Sequence, residues 1–218
     1  NIHYGVREHA MAAATSGMAL HGGLLPFSAT FFNFLDYLKP ALRLAALNKI
    51  REIFVFTHDS VFLGEDGPTH QPIEQLATLR ATPNVIELRP ADALETVEAW
   101  KYAVQPETGP TAIVLTRQKV PFLGTRTADV ARGAYVLHEP DGLRAGELPD
   151  MILIATGSEV HVALGAAKLL AGKGTKARVV SMPSWRLFDA QDEAYRRGIL
   201  PPEVKARIAS ILERVGLD

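Results

Sequence analysis

The chain has 218 residues, of which 47% are hydrophobic and 22% charged, the composition of an ordinary globular protein with one large or two small domains. The formal net charge of -1 offers no basic field for nucleic acid or acidic membranes, and no apolar run reaches the ~20 residues of a membrane span. Cysteine is absent, which excludes disulfides and thiolate sites. We therefore expect no nucleic-acid partner, no membrane partner and a cytoplasmic location.

The first predicted element is a helix from Glu8 to His21. Small residues dominate this segment, and Gly22-Gly23 supplies a stop signal. Glu8 opens the helix, where the helix dipole by itself favours a carboxylate. The residues alone do not distinguish this stabilising effect of the helix dipole from a functional role for Glu8.

Strands and helices alternate through the next hundred residues. The helical stretch over 30–49 contains Pro40, which is expected to bend or break it. Asp92 is a suitable N-cap for a later helix. Strands are predicted at 24–28, 53–57, 85–88 and 111–116, and further helices at 73–80 and 93–104. The pattern predicts a parallel α/β domain with ligand sites at the C-terminal ends of its strands.

An aromatic stripe is predicted near the start of the helical stretch. Phe31, Phe34 and Tyr37 are spaced by three residues and would share one helical face. Such a stripe in an anonymous sequence is more often core than cofactor pocket. Asn33 and Asp36 would then face elsewhere.

A polar loop over 57–72, THDSVFLGEDGPTHQP, follows the apolar run IFVF. Its titratable side chains are His58, Asp59, Glu65, Asp66 and His70. Glycines bend the loop and prolines stiffen it, which favours a ligand site over a solvated turn. The same residue types could ligate a metal in a hydrolase, but their spacing fits no short zinc motif.

A second domain is predicted after a polar linker at 119–132. Its strands are predicted at 134–138, 151–155 and 176–181, with a helix to about residue 171 that has Ser158 as N-cap. This order suggests a βαβ crossover. Residues 201–215 read as one amphipathic helix.

Before the linker, Arg117 follows the strand at 111–116. Most arginines are exposed on the surface without a functional role. The position of Arg117 at the C-terminal end of a strand instead favours contact with a ligand.

Three motifs together resemble the transketolase family of thiamine-diphosphate enzymes. They are GVREHAM at 5–11, THDS at 57–60 and GEDGPTHQP at 64–72, and the resemblance extends from residue 1 to about 202. It implies two parallel-sheet α/β domains. The first is an N-terminally incomplete pyrimidine-binding domain over 1–118, and the second is a transketolase C-terminal-like domain over 133–218, whose end departs from the family pattern.

The resemblance also implies a cofactor role for several residues. Glu8 would hydrogen-bond the aminopyrimidine ring of thiamine diphosphate and share a proton with it. Phe31, Phe34 and Tyr37 would line the pocket around that ring. Mg²⁺ or Ca²⁺ would hold the cofactor diphosphate, with its ligands outside this chain; we expect no metal ligand within it.

The substrate roles come from the same resemblance. His58 and Arg117 would bind the phosphate of a sugar phosphate. His70 would lie near the substrate carbonyl, where an imidazole donates hydrogen bonds or moves protons. Asp66 would contact a substrate hydroxyl and set the stereochemical preference. Asp59 and Glu65 are expected to be structural hydrogen-bonding residues.

The family transfers a two-carbon ketol unit from a ketose phosphate to an aldose phosphate. We expect this chain to be an internal or C-terminal portion of such an enzyme, because it has no Gly-Asp-Gly type diphosphate segment. Its partner would be a second copy in a homodimer or a complementary diphosphate-binding chain. Two alternatives stay open: dihydroxyacetone synthase, which has the same motifs and uses formaldehyde as acceptor, and a non-catalytic assembly or regulatory subunit.

Overall fold

A computed structural model of the chain describes residues 1–60, 62–106, 109–124, 127–144 and 146–209. The chain divides into two compact units, Asn1–Leu88 with Trp100–Lys119, and Arg89–Ala99 with Val120–Asp218. This division differs from the domain bounds predicted from the sequence, because it assigns residues 89–99 to the second unit. We keep 1–118 and 133–218 as our proposal for the two domains. None of the helices in the described residues has the length and apolarity needed to cross a membrane.

The first unit contains a parallel sheet of four strands in the order β1-β2-β4-β3. The strands are β1 (Phe27–Phe31), β2 (Ile53–Asp59), β3 (Ile86–Leu88) and β4 (Thr111–Thr116). The helices of this unit are α1 (Glu8–His21), α2 (Leu35–Leu47) and α3 (Gln75–Ala81), and a fourth helix, α4 (Ala93–Ala103), is divided between the two units after Ala99. A 3₁₀ turn over Phe32–Phe34 joins β1 to α2. The predicted bounds of α1 and β4 are confirmed, and the others shift by one to a few residues.

Pro40 was predicted to bend or break the helix, and α2 continues through it, so the break does not occur. Proline removes one backbone hydrogen bond from a helix interior. The loss is offset here because Leu38 and Leu42 of α2 are fully buried in the core cluster that also contains Phe54 and Phe56. Burying one leucine side chain contributes about 1.5–3 kcal/mol, so packing outweighs the local preference of the backbone.

Strand β2 lies at the centre of the first sheet, between β1 and β4. Its residues from Ile53 to Phe56 are all buried, as expected for a parallel strand that is covered on both faces. Phe54 and Phe56 join Phe32 in the main core cluster of this unit. The strand is therefore rigidly held, and its C-terminal end carries His58.

The second unit contains a sheet in the order β5-β7-β6-β8. Its strands are β5 (Tyr135–His138), β6 (Met151–Ala155), β7 (Ala177–Ser181) and β8 (Arg207–Ala209), and its helices are α5 (Val160–Ala171), α6 (Trp185–Asp189) and α7 (Glu193–Ile199). The β6-α5-β7 segment confirms the predicted βαβ crossover. Strand β5 is antiparallel to β7, so this sheet is mixed, as is common when an edge strand is added to a parallel sheet.

The helix predicted over 201–215 is wrong in its described part. Arg207–Ala209 forms β8 and pairs in parallel with β6, through Ile208 opposite Leu153. Pairing with β6 provides hydrogen-bond partners for the backbone N–H and C=O groups of this segment. The helix was predicted from the spacing of apolar residues, which carries no information about such pairing. Residues 210–215 of that prediction lie outside the described residues.

Two smaller predictions in this unit are also corrected. Ser158 is not an N-cap; it lies in a 3₁₀ turn, and its hydroxyl donates a hydrogen bond of 2.9 Å to the carboxylate of Glu159. The predicted linker is not wholly irregular, because Thr127–Arg132 forms a 3₁₀ helix. Short 3₁₀ turns of polar residues show no periodic spacing of apolar side chains, so they are difficult to predict from a sequence.

Candidate functional site

The C-terminal ends of three neighbouring strands bring candidate residues to one edge of the first sheet. Strand β1 ends at Phe31, β2 ends just after His58, and β4 ends just before Arg117. Thr57 is the register partner of both Phe31 and Leu115, so the three strand ends are level. This edge is where open α/β sheets bind ligands.

A bulge at the end of β2 sets the direction of His58. The register between β2 and β4 shifts between Thr57 and Asp59, and His58 has a φ of 70°. A bulge bends the strand and re-aims a side chain, and a left-handed residue other than glycine is a strained conformation found at functional sites. The His58 ring lies 4.4 Å, centroid to centroid, from the ring of Phe31.

The second predicted histidine reaches the same aromatic neighbour from the polar loop. The centroid of the His70 ring lies 5.2 Å from that of Phe31, with the rings nearly perpendicular. It is also 5.2 Å from the centroid of Phe34. Phe31 thus contacts two histidines that are twelve positions apart in the sequence. We call Phe31, Phe34, Tyr37, His58 and His70 the aromatic–histidine cluster.

The predicted aromatic stripe is real but has a different basis. Phe31 lies in β1, Phe34 in the 3₁₀ turn and Tyr37 in α2, so the three do not share a face of one helix. Their rings still form a row, with centroids 5.9 Å apart at each step. Tyr37 is 65% exposed, so the row is not a core stripe. The buried aromatic residue here is Phe32, which packs on Phe56 at a centroid distance of 5.5 Å.

The polar loop is tied to the 3₁₀ turn by a residue that the sequence interpretation placed elsewhere. Asn33 Nδ2 donates a hydrogen bond of 2.6 Å to the Thr69 carbonyl, next to His70. Gln71 Nε2 donates to the Ser60 carbonyl at 3.0 Å and closes the loop on the end of β2. Asn33 therefore holds the His70 segment beside the cluster. The only sequence signal for this supporting role was the position of Asn33 between Phe32 and Phe34.

Asp36 has a similar supporting position. Its two carboxylate oxygens accept hydrogen bonds of 3.2 and 3.3 Å from Gln75 Nε2 at the start of α3. The Gln75 side chain is buried, and its Oε1 accepts a hydrogen bond of 2.8 Å from the Ile73 backbone. Asp36 thus fixes the chain just after the polar loop and does not contact the aromatic–histidine cluster through these bonds.

Arg117 and Asp66 contact each other at the same sheet edge. Arg117 Nη1 donates to Asp66 Oδ2 at 3.0 Å and to the Leu63 carbonyl at 3.1 Å. The side chains are 48% and 33% exposed, so both can still reach a solute. The structure therefore brings Arg117, one of the two residues predicted to bind phosphate, next to Asp66, the residue predicted to contact a hydroxyl group.

Glu8 opens α1, which packs against α2 and β1, and its side chain is half-buried. Within the described residues, no hydrogen bond, ion pair or ring contact joins Glu8 to the aromatic–histidine cluster. Its predicted role stays a prediction. Metal-hydrolase chemistry gains no support, because the described part of the chain has no group of three or more His, Cys, Asp or Glu able to hold a metal ion.

A second carboxylate in this unit has an unusual environment. Glu52 directly precedes β2 and is almost fully buried, and Ser16 Oγ of α1 donates a hydrogen bond of 2.8 Å to its Oε1. Burial raises the pKa of Glu52 to about 7, although the bond from Ser16 acts in the opposite direction. Glu52 lies at the opposite end of β2 from His58, so it belongs to the support of the sheet.

Two family models match the chain. The model described as the transketolase pyrimidine binding domain matches residues 1–122, and the transketolase-like C-terminal domain matches residues 133–213. The second match continues past residue 202, where the sequence resemblance was expected to end. A transketolase of Aquifex aeolicus is 53% identical over 213 residues, which are 96% of this chain and 30% of the relative.

Solved structures agree with the sequence matches. Transketolase from Leishmania mexicana has a TM-score of 0.88 at 44% identity, over 95% of this chain and 30% of that one. A Pichia stipitis transketolase complex with sedoheptulose 7-phosphate has a TM-score of 0.85 at 46% identity, over 92% and 29%. An inactive β4 tetramer of a split-gene transketolase has a TM-score of 0.76 at 28% identity, over 94% and 63%. The chain spans about 30% of the length of its curated relatives, and it belongs to the transketolase family.

Proposed function

We propose that this chain provides the pyrimidine pocket and part of the substrate cleft of a transketolase. The reaction is the transfer of a two-carbon ketol unit from a ketose phosphate to an aldose phosphate, dependent on thiamine diphosphate. The observation that carries the proposal is the contact of Phe31 with both His58 and His70. An apolar ring and two imidazoles thus lie at the C-terminal edge of a parallel sheet, where open α/β sheets bind ligands, and this supports the proposal for a chain of this family.

The side chains of the cluster suit the pyrimidine end of thiamine diphosphate. Phe31 and Phe34 are half-buried and Tyr37 is mostly exposed, so they offer ring surface to a planar heteroaromatic group. Glu8 would hydrogen-bond a ring nitrogen of the aminopyrimidine and share a proton with it. When bound, the cofactor supplies the breaking and making of the carbon–carbon bond, while the protein positions and polarises the substrate. Mg²⁺ or Ca²⁺ would be held outside this chain.

The substrate groups are assigned to the residues beyond the aromatic row. Arg117 keeps an exposed guanidinium at the end of β4, where it and His58 would bind a sugar phosphate. His70 would donate a hydrogen bond to the substrate carbonyl oxygen or move a proton there. Asp66 would accept a hydrogen bond from a substrate hydroxyl. The sugar-phosphate complex of the Pichia stipitis relative supports this substrate class.

We propose that the site is completed by a second chain. The partner is a second copy or a complementary chain with the diphosphate segment, and the split-gene transketolase similar to this chain supports the second arrangement. We call this chain together with a diphosphate-binding portion the assembled enzyme. Without that portion, the charged end of the cofactor has no partner, and the pyrimidine contacts alone leave few anchors to offset the entropy of association.

Calorimetry with thiamine diphosphate and Mg²⁺ tests the proposal. The isolated chain should bind weakly and show no ketol transfer, and the assembled enzyme should bind tightly and be active. A dissociation constant of about 1 μM or below for the isolated chain, corresponding to about -8 kcal/mol, would show that the half-site assignment is wrong.

Variants of the assembled enzyme test the site itself. His70→Ala should reduce ketol transfer by about 10²-fold or more, as expected for the loss of a proton-transfer group. His21→Ala is the matched control, because His21 is exposed at the end of α1. Equal activities of the two variants would contradict the assignment. Preference for an aldose phosphate over formaldehyde as acceptor separates transketolase from dihydroxyacetone synthase.

A further inference from the structure

Both histidines of the cluster are held in the same way by the residue before them. Thr57 Oγ1 lies 2.9 Å from His58 Nδ1, and Thr69 Oγ1 lies 2.9 Å from His70 Nδ1. One pair is at the end of a strand and the other is in a loop, so a shared local conformation does not explain the repetition. The sequence shows the pattern as two Thr-His pairs, at 57–58 and 69–70.

Each threonine stands on backbone that is fixed independently of its histidine. Thr57 lies in the sheet between Phe31 and Leu115, its register partners in β1 and β4. The Thr69 carbonyl accepts the 2.6 Å hydrogen bond from Asn33. A hydroxyl on a fixed backbone can restrain both the rotation of the following imidazole ring and the position of the ring proton.

The geometry leaves one ring nitrogen for a ligand. In each histidine, Nδ1 is engaged by threonine and the ring face or edge contacts Phe31. Across the described residues, neither Nε2 atom has a hydrogen-bond partner in the protein. Nε2 is therefore the atom that each histidine can present to a substrate.

The direction of the threonine hydrogen bond decides what Nε2 can do. If the hydroxyl donates to Nδ1, the proton of the neutral ring is on Nε2, which then donates. If Nδ1 donates, Nε2 can only accept. Carbonyl and phosphate oxygens are acceptors and need a donor. In the described structure each threonine hydroxyl has Nδ1 as its protein partner, which gives its hydrogen an acceptor.

We propose that Thr57 and Thr69 are positioning residues, each donating its hydroxyl proton to Nδ1 so that Nε2–H of His58 and His70 points to the substrate. This rests on the proposed function, which places substrate oxygens at these two histidines. The threonines act through the histidines and do not contact the substrate themselves.

Nitrogen-15 NMR of the imidazoles in this chain tests the hydrogen-bond direction without any activity. At pH 8.5, both rings should show Nε2–H as the dominant tautomer. Thr57→Val and Thr69→Val keep the shape of the side chain and remove the hydroxyl. Each should lower the Nε2–H to Nδ1–H ratio of its own histidine by about 2- to 10-fold, the effect of one neutral hydrogen bond. Thr57→Ser and Thr69→Ser should restore the ratio.

The assembled enzyme provides the kinetic test. Thr69→Val should lower kcat and Thr57→Val should raise KM for phosphorylated substrates, each by about 2- to 10-fold and with recovery in the serine variant. Thr30→Val is the control, because Thr30 lies in the same sheet but does not precede a histidine.

Two results would overturn the proposal: Nδ1–H as the dominant tautomer in the unmodified chain, or valine variants with unchanged tautomers and kinetics. If His58→Gln and His70→Gln reduce activity while the valine variants do not, the positioning role fails and the proposed function stands. If the glutamine variants leave ketol transfer unchanged, the proposed function fails, and the positioning role fails with it.

Discussion

Arg117 Nη1 lies 3.0 Å from Asp66 Oδ2, so the residue proposed to bind substrate phosphate is paired with the one proposed to contact a substrate hydroxyl. They come from the end of β4 and from the polar loop, 51 positions apart in the sequence. A phosphate that binds Arg117 would compete with Asp66 for the same guanidinium. Because both side chains are partly exposed, the pair can open at little cost.

The first prediction concerns the strength of this pair. In a double-mutant cycle of Arg117→Ala and Asp66→Ala, the coupling free energy of unfolding should be below about 1 kcal/mol, because solvent screens an exposed ion pair. Urea denaturation of the four proteins measures it. A coupling of several kcal/mol would mean that the pair is a structural element of the fold and is not available to a ligand.

The second prediction concerns substrate affinity. Arg117→Ala in the assembled enzyme should raise KM for phosphorylated substrates by roughly 10- to 150-fold, the equivalent of a charge-assisted contact of about 1.5–3 kcal/mol. KM for unphosphorylated substrates should change much less. Arg43→Ala is a suitable control, since Arg43 is exposed on α2. Equal effects on both substrate types would exclude Arg117 from phosphate binding.

The third prediction concerns Glu8. Glu8→Gln in the assembled enzyme should reduce activity by about 10²- to 10⁴-fold, because an amide cannot share a proton with the cofactor ring. The circular dichroism spectrum should not change, since Glu8 begins α1 with no side-chain hydrogen bond in the described residues. The exchange rate of the cofactor C2 proton measures the effect directly. An unchanged exchange rate would remove Glu8 from cofactor activation.

The fourth prediction follows from the raised pKa of Glu52. Its pKa is about 7 in the folded protein and 4.5 as the reference value, so the folded state binds the proton more tightly than the unfolded state. The contribution of Glu52 to stability is therefore greatest below about pH 4.5 and is lost as the pH rises to about 7. The loss should be on the order of 2–3 kcal/mol.

Glu52→Gln should remove this pH dependence and should be more stable than the unmodified chain at pH 8. Free energies of unfolding between pH 5 and pH 8 provide the measurement. Glu74→Gln serves as the control, because Glu74 is exposed. If Glu52→Gln shows the same slope with pH as the unmodified chain, Glu52 is not the group responsible.

The fifth prediction tests the packing of the second unit at Gly133. Gly133 has a φ of 88°, and an added Cβ would lie 2.2 Å from Phe188 N and 2.4 Å from the Ser184 carbonyl oxygen. Backbone atoms cannot rotate away, so Gly133→Ala should destabilise the unit by about 3–5 kcal/mol.

Gly142→Ala isolates the conformational part of that effect. Gly142 has a φ of 75° but an added Cβ would meet nothing within 4 Å. This variant should lose only about 1–2 kcal/mol. Thermal unfolding of both variants gives the comparison. Similar losses would show that the crowding at Gly133 is relieved by movement of α6.

Elements with strong local signals could be predicted from the order of the amino acids. Helix α1 begins at Glu8 and ends before Gly22, and β4 is the predicted run of β-branched and apolar residues. The sheet edge that carries His58 and Arg117 also follows from local pattern, because parallel strands place their C-terminal ends together. The family could be identified from the motifs because this polar loop combines many specific residues in a fixed order.

Which of these residues contact one another depends on long-range packing. Phe32 and not Phe31 enters the core, because a 3₁₀ turn rather than a continuous helix follows β1. Residues 207–209 form a strand because β6 offers an open edge to pair with. Contacts of this kind join residues distant in sequence, so their free energy is absent from any local pattern. For the same reason, the bond between Asn33 and Thr69 became visible only when the loop was folded against the turn.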